Sequence, residues 1–189
     1  HRADLLVLYR AASEQSTEVM KNINTLIPDI QELLKTKGWF TESISTEFVT
    51  EMTSRLSGQF NREASKPTLR LSQMGDRCPC ELWHMINKPE LAEELPAWAE
   101  MKFSFGHTIE GLAIALAKAA GHTVEGEQDE VCLDGVVGHR DCLIDGCLVD
   151  VKSSSSKGMA KYRDGSIRED DPFGYLAQLD GYLLASASD

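Results

Sequence analysis

The chain has 189 residues, 42% of them hydrophobic and 26% charged. That is enough for one α/β domain with a real core and a helical extension, in a soluble globular composition. No apolar run approaches the roughly 20 residues of a membrane span. The formal charge of −11 argues against a surface that binds nucleic acid indiscriminately, since that needs excess positive charge. His1 stands where a start methionine is expected and the residues after it do not form a signal peptide, so the chain is expected to be trimmed or part of a longer one, with its C-terminus also open to truncation. The five cysteines, at 78, 80, 132, 142 and 147, form no secreted disulfide pattern and read as reduced thiols of a cytoplasmic protein.

Residues 3 to 37 carry Leu5, Leu6, Leu8, Met20, Ile23, Leu26, Ile30, Leu33 and Leu34 at near-helical spacing, with Pro28 at a helix start and Gly38 at a stop. A second helix is expected after Thr41, with Phe48, Met52 and Leu56 on one face. Residues 1 to 65 thus read as an N-terminal helical extension, and 66 to 189 as the core. A turn and short helix follow over 72 to 87, ended by Pro89. A strong helix runs from about Ser104 to Ala120 with Gly121 as its stop. Three short strands come next, separated by Asp134-Gly135 and Asp145-Gly146, which are strong hairpin signals. Residues 153 to 171 read as a Ser-rich basic loop, and Phe173 to Ala187 as a final helix with Pro172 in its first turn.

The second hairpin carries a chemical implication. A two-residue turn at Asp145-Gly146 pairs Ile144 with Cys147, Leu143 with Leu148 and Cys142 with Val149, and sets Asp141 opposite Asp150. Cross-strand partners share a face, and Lys152, two residues on, points the same way. His139 then falls opposite Lys152. Two carboxylates facing each other are destabilising, and a divalent cation with oxygen ligands is the natural compensation. The alternative is an exposed strand pair with its charges in water. Against that, Cys142, Ile144, Cys147, Val149 and Val151 make one face apolar, while Leu143 and Leu148 flank the acids on the other, as in a sheet covered on both sides. Glu110 sits on an apolar helical stripe with Ala113, Ile114 and Ala117, where a carboxylate needs a partner. His107, one turn earlier, is either a further ligand or a hydrogen-bonded histidine near the helix start.

Asp141…Asp150-Val151-Lys152 resembles the D…(D/E)xK signature of the PD-(D/E)xK nuclease superfamily. Gly138-His139-Arg140-Asp141 resembles the GxxD element of its RecB-like and phage exonuclease branch. Phe105 to Glu110 is similar to the upstream helical motif that supplies an acidic ligand, and Gln178-Leu179-Asp180-Gly181-Tyr182 to the QxxxY motif. Ser72 to Trp83 is similar to a Ser…Cys…Trp segment ahead of the core in phage members. The resemblance covers about residues 68 to 185. It implies a restriction-endonuclease-like core, a small mixed central sheet flanked by helices. Its iron–sulfur variants place three cysteines beyond the QxxxY helix, and none comes after Tyr182 here, so a cluster is not expected.

The resemblance further implies in-line hydrolysis of a DNA phosphodiester. Glu110, Asp141 and Asp150 would hold Mg²⁺ (or Mn²⁺), with the Val151 carbonyl and His107 as further candidates. Lys152 would orient water and stabilise charge, and Gln178 and Tyr182, four apart on a helix, would face the site. Lys152, Lys157, Lys161, Arg163 and Arg168 fall within 17 residues with Asp164 as the only acid among them, which answers the charge objection locally. A second basic run holds Arg62, Lys66, Arg70 and Arg77. Arg70, Ser72, Arg77, Ser153, Lys157, Lys161 and Arg163 are accordingly the expected DNA contacts. The expected partner is linear DNA with an end, and a homo-oligomer is a family expectation. A phage-type exonuclease of recombination or DNA processing, in the host cytoplasm if phage-encoded, is favoured. A structure-selective endonuclease and an inactive nuclease-like domain that binds DNA or a partner are the alternatives.

Overall fold

A computed structural model describes residues 4–10, 21–61, 67–75 and 78–187. Strand β1 (Asp4–Arg10) comes first, which corrects the helix expected over 3 to 37. Its unbroken run Leu-Leu-Val-Leu-Tyr has no helical or strand period of its own, and such a run is decided by what it pairs with. Helix α1 (Leu26–Leu33) comes after a 3-10 turn, with Ile23, Leu26 and Ile30 buried. Helix α2 (Glu42–Phe60) begins where the sequence expects, the Thr41 hydroxyl accepting from the Ile44 N–H. Helix α3 (Pro79–Asn87) is short and largely exposed. Helix α4 (Ala97–Ala119) starts earlier than the sequence suggests, packs on α1 and α2, and ends before Gly121 at φ 85°.

Five strands then appear where three are expected: β2 (Val124–Glu125), β3 (Glu130–Leu133), β4 (Val136–His139), β5 (Cys142–Ile144) and β6 (Cys147–Ser154). The main sheet has the order β1-β6-β5-β2, and β3 and β4 form a separate ribbon. Every pair of named strands among the described residues is antiparallel, with a parallel bridge only between Arg70 and Val137, which corrects the mixed sheet the resemblance implies. Neighbouring strands β5 and β6 are joined by a tight turn, and β1 runs against β6, so no helical crossover generates a parallel pair. Both Asp-Gly turns are present: Asp134 and Gly135 have φ 49° and 80°, Asp145 and Gly146 φ 51° and 75°. Two successive left-handed residues give the twist that continues a hairpin.

The chain then forms α5 (Ser156–Asp164), where a loop is expected. Ser155 caps it by accepting from the Gly158 N–H, Gly165 ends it at φ 81°, and buried Met159 anchors it. Helix α6 (Tyr175–Ser186) closes the described chain.

The main sheet is covered on both sides. Cys142, Ile144, Cys147, Val149 and Val151 join Ile23, Leu26, Ile30, Ala113, Ile114 and Ala117 in one core, between the sheet and helices α1 and α4. On the opposite face Leu148 meets Leu71, Val131, Leu179, Tyr182 and Ala185, with Leu143 at the margin. Asp150 shares the Leu148 face by alternation and is 1% exposed. The same packing explains Gly138. A Cβ there would stand 2.6 Å from the Tyr182 ring and 2.8 Å from the Leu71 Cβ. Gly138→Ala is therefore expected to destabilise by about 1–3 kcal/mol through overpacking. An unchanged melting temperature in that variant would show that α6 is not held against the ribbon as described.

Candidate active site

The register matches the hairpin expectation through three ladder pairs, but Asp141 and Asp150, expected as the next pair, are not ladder partners. Cys142 faces Val149, Leu143 faces Leu148 and Ile144 faces Cys147. Beyond Cys142 the ladder stops, and the Asp141 carboxylate replaces it: Oδ2 accepts from the Val151 N–H at 2.7 Å. Val151 thus meets the site through its N–H as well as lining the adjoining cleft. His139 does not face Lys152, because the backbone leaves the main sheet at Arg140 and Asp141. His139 pairs instead with Glu130 in the β3–β4 ribbon.

Asp150 lies at the centre. The Lys152 ammonium stands 2.9 Å from both of its oxygens, with its donor directed at Oδ1. Gln178 Nε2 also donates to Oδ1 at 3.3 Å and to the Tyr182 hydroxyl at 3.1 Å. Gln178 and Tyr182 are both buried, one turn apart on α6, so the helix face expected to look at the acids does so. Oδ2 of Asp150 is buried and receives no aligned hydrogen bond.

Glu110 is buried on α4, as its apolar stripe suggests, but its partners are not ones the sequence points to. Oε1 accepts from Arg55 Nη1 at 2.5 Å and from Gln128 Nε2 at 2.7 Å. Arg55 in turn binds Glu51, one turn before it on α2. The Glu51–Arg55 spacing is readable as a helical ion pair, whereas the reach to Glu110 depends on how α2 lies along α4.

The charges interact. Burial, then Asp150 and Glu110, push Asp141 up to about 8. It keeps a little solvent contact, yet the protein packed around it dominates. Burial works against the Lys152 ammonium, but Asp150 and Asp141 outweigh it and hold its pKa above the usual lysine value. The Cys142 thiol, in the core beneath, is pushed up to about 12, chiefly by burial, and is inert at neutral pH.

A cleft of about 1100 Å³ opens beside these groups. One stripe of α4 lines it, with Lys102, Gly106 and Glu110 a turn apart and Phe103 and His107 beside them. Helix α5 contributes Lys157, Gly158, Lys161 and Tyr162, and β6 contributes Lys152 and Ser153. Burial of Leu71 in a 3-10 turn leaves its neighbours Arg70 and Ser72 on the cleft wall. Of the expected DNA contacts, Arg70, Ser72, Ser153, Lys157 and Lys161 therefore share one cavity with Glu110, Asp141 and Lys152. Lys161 also pairs with Asp170, which does not line the cleft. Arg163 is exposed on α5 and does not line the cleft, and Arg62, Lys66 and Arg77 lie outside the described residues. Lys102, Phe103, Tyr162, Phe173 and Tyr175 line it although no sequence motif marks them. Their common signal, a cation or aromatic flanking a motif, occurs too often by chance to be informative.

The donor set suits a hard dication in type. Asp141, Asp150 and Glu110 are all carboxylates, and burial, then repulsion by Asp150 and Glu110, raises Asp141 so that a cation would relieve it. In arrangement it is incomplete: Glu110 is turned to Arg55 and Gln128, and among the described residues no three His, Cys, Asp or Glu side chains converge as ligands. His107 lines the cleft without entering such a group. Comparisons with protein-family models, curated proteins and solved structures each return no match, so the site's reading rests on its own geometry.

Proposed function

We propose that the chain is a metal-dependent DNA phosphodiester hydrolase of the PD-(D/E)xK type, most simply an exonuclease of DNA recombination or processing. The observation that carries this reading is the cluster of Asp141, Asp150 and Lys152, with Asp150 buried behind and Asp141 and Lys152 bordering a cleft whose walls bear Arg70, Lys102, Lys157 and Lys161. A Mg²⁺ or Mn²⁺ ion held by Asp150 and Asp141, with Glu110 as a third ligand, would polarise the phosphate and lower the pKa of an attacking water.

The protein's own groups have separable tasks. Lys152, held protonated by the two aspartates, serves as a fixed positive charge for the phosphate and its developing negative charge rather than as a base. Gln178 holds Asp150 from behind and is itself held by Tyr182. Arg70, Lys157 and Lys161 bind flanking phosphates, giving affinity that falls steeply with salt. The free thiols agree with a reducing compartment, the cytoplasm, as the working place. No helix among the described residues is long and apolar enough to cross a membrane.

A second reading, a nucleic-acid-binding domain without catalysis, is favoured by the engagement of Glu110 with Arg55. Incubation with end-labelled linear and circular DNA in Mg²⁺, Mn²⁺ or EDTA separates the two. Loss of linear DNA alone, requiring metal, is the expected result. Cut circles would make the enzyme an endonuclease, and binding without cleavage under any metal would leave the second reading.

A further inference from the structure

Phe173 is 63% exposed and Phe103 47% exposed, yet neither is a stray surface residue. Both line the cleft, and they come from separate elements, Phe103 from α4 and Phe173 from the turn ahead of α6. The Phe173 ring stacks on Tyr175, centroids 5.4 Å apart and planes 26° from parallel. Tyr175 in turn carries the Lys152 ammonium 5.6 Å from its centroid. A continuous path of flat faces thus leads from the open rim to the cation beside Asp150. Its inner member is occupied, by Phe173 on one side and Lys152 nearby, while Phe173 keeps most of its surface open.

We propose that Phe173, backed by Tyr175 and sharing its cleft with Phe103, is a base-stacking platform that makes the cleft select a single-stranded DNA segment next to the reacting phosphate. The inference rests on the nuclease reading for which phosphate reacts, but base stacking is measurable without turnover. Aromatic faces beside a lysine-bearing groove are what an unpaired strand requires, since its bases are free to stack while its phosphates meet cations. Inside a duplex the bases are offered only edge-on in the grooves, so away from the duplex ends Phe173 gains nothing from it. A protein partner is the weaker occupant, because Arg70, Lys102, Lys157 and Lys161 line the same cleft as these rings and charged residues are depleted from the cores of protein interfaces.

The test uses phosphorothioate-linked oligothymidylate, an abasic strand of the same length and a blunt duplex, with binding read by fluorescence anisotropy. Wild-type protein is expected to prefer the oligothymidylate to both others. Phe173→Ala should weaken its binding by about 5- to 150-fold, the worth of one stacked base, with little change for the abasic strand. Phe173→Trp should restore binding, and Phe103→Ala should give a smaller loss of the same pattern. Because Phe173 is mostly exposed, its loss is not expected to unfold the protein, and an unchanged melting temperature checks this. Equal binding of all three nucleic acids, or equal weakening of all three by Phe173→Ala, overturns the platform even if cleavage is observed. Selective stacking without any cleavage would retain the platform and discard the nuclease reading.

Discussion

Asp150→Asn is expected to lower DNA cleavage by about 100- to 1000-fold or more, the scale on which a preorganised charged group acts at a reacting centre. The side chain is 1% exposed and nearly isosteric with asparagine, so the variant should fold. Lys152→Ala should give a comparable loss of cleavage and a second effect as well. It leaves the Asp150 carboxylate buried with Gln178 as its only side-chain donor among the described residues. Breaking a buried ion pair by removing one partner costs on the order of 3–5 kcal/mol, so the metal-free variant should melt well below wild type. Mg²⁺ should recover part of that loss, because a dication takes over the compensation of Asp150. Initial cleavage rates on linear DNA, with melting curves in EDTA and in Mg²⁺, read both effects. Wild-type cleavage by folded Asp150→Asn protein would remove Asp150 from the mechanism.

The second large effect concerns pH. A carboxyl group whose folded pKa lies at about 8 instead of 3.8 is disfavoured in its ionised form by folding. Below the unfolded value both states are protonated and the group contributes nothing. Between the two values the unfolded chain has lost its proton and the folded one has not, so stability falls as pH rises, by at most about 1.4 kcal/mol per pH unit. Above about 8 the penalty is complete. A cation bound to Asp141 displaces that proton, so its apparent affinity should rise about tenfold per pH unit up to the folded value and then level off. Melting temperatures in EDTA should decline from about pH 5 to about pH 8, while the increment from Mg²⁺ should grow. Asp141→Asn should flatten both trends. An Mg²⁺ increment that is the same at about pH 6 and about pH 8 would separate Asp141 from cation binding.

Much of the site is legible in the sequence because a two-residue Asp-Gly turn leaves a hairpin no choice of register. From that turn alone come the partners of Cys142, Leu143 and Ile144, and alternation then sets Asp150 and Lys152 on one face. Leucines flanking the acids point to the burial of Asp150, and helical spacing puts Gln178 and Tyr182 on one face, while only the motif resemblance turns that face toward the acids. The illegible part depends on contacts distant in sequence. Strand β1 reads as helix because its apolar run has no period, and its partner β6 lies more than a hundred residues away. His139 falls opposite Lys152 only if its strand continues, and that strand breaks at Arg140 and changes partner. Helix α5 is hidden by its serines and charges, although Ser155 and Gly165 stand in the sequence as its cap and stop. Glu110 needs a partner by virtue of its apolar stripe, but the partners inside the domain are Arg55 and Gln128, and nothing local points to either.

The Arg55–Glu110 pair has a thermodynamic consequence. If Glu110 is the third metal ligand proposed above, it cannot fully serve a cation and Arg55 at once, and α2 and the metal would draw on one carboxylate. Linkage makes such competition reciprocal: whatever seats α2 more firmly on α4 lowers cation affinity, and a bound cation loosens α2 by the same factor. Residues far along the chain from every carboxylate of the site, on a helix that does not border the cleft, would thereby set the metal concentration at which the proposed site fills. Natural or engineered changes at the α2–α4 seam would tune that threshold while leaving the chemical groups untouched.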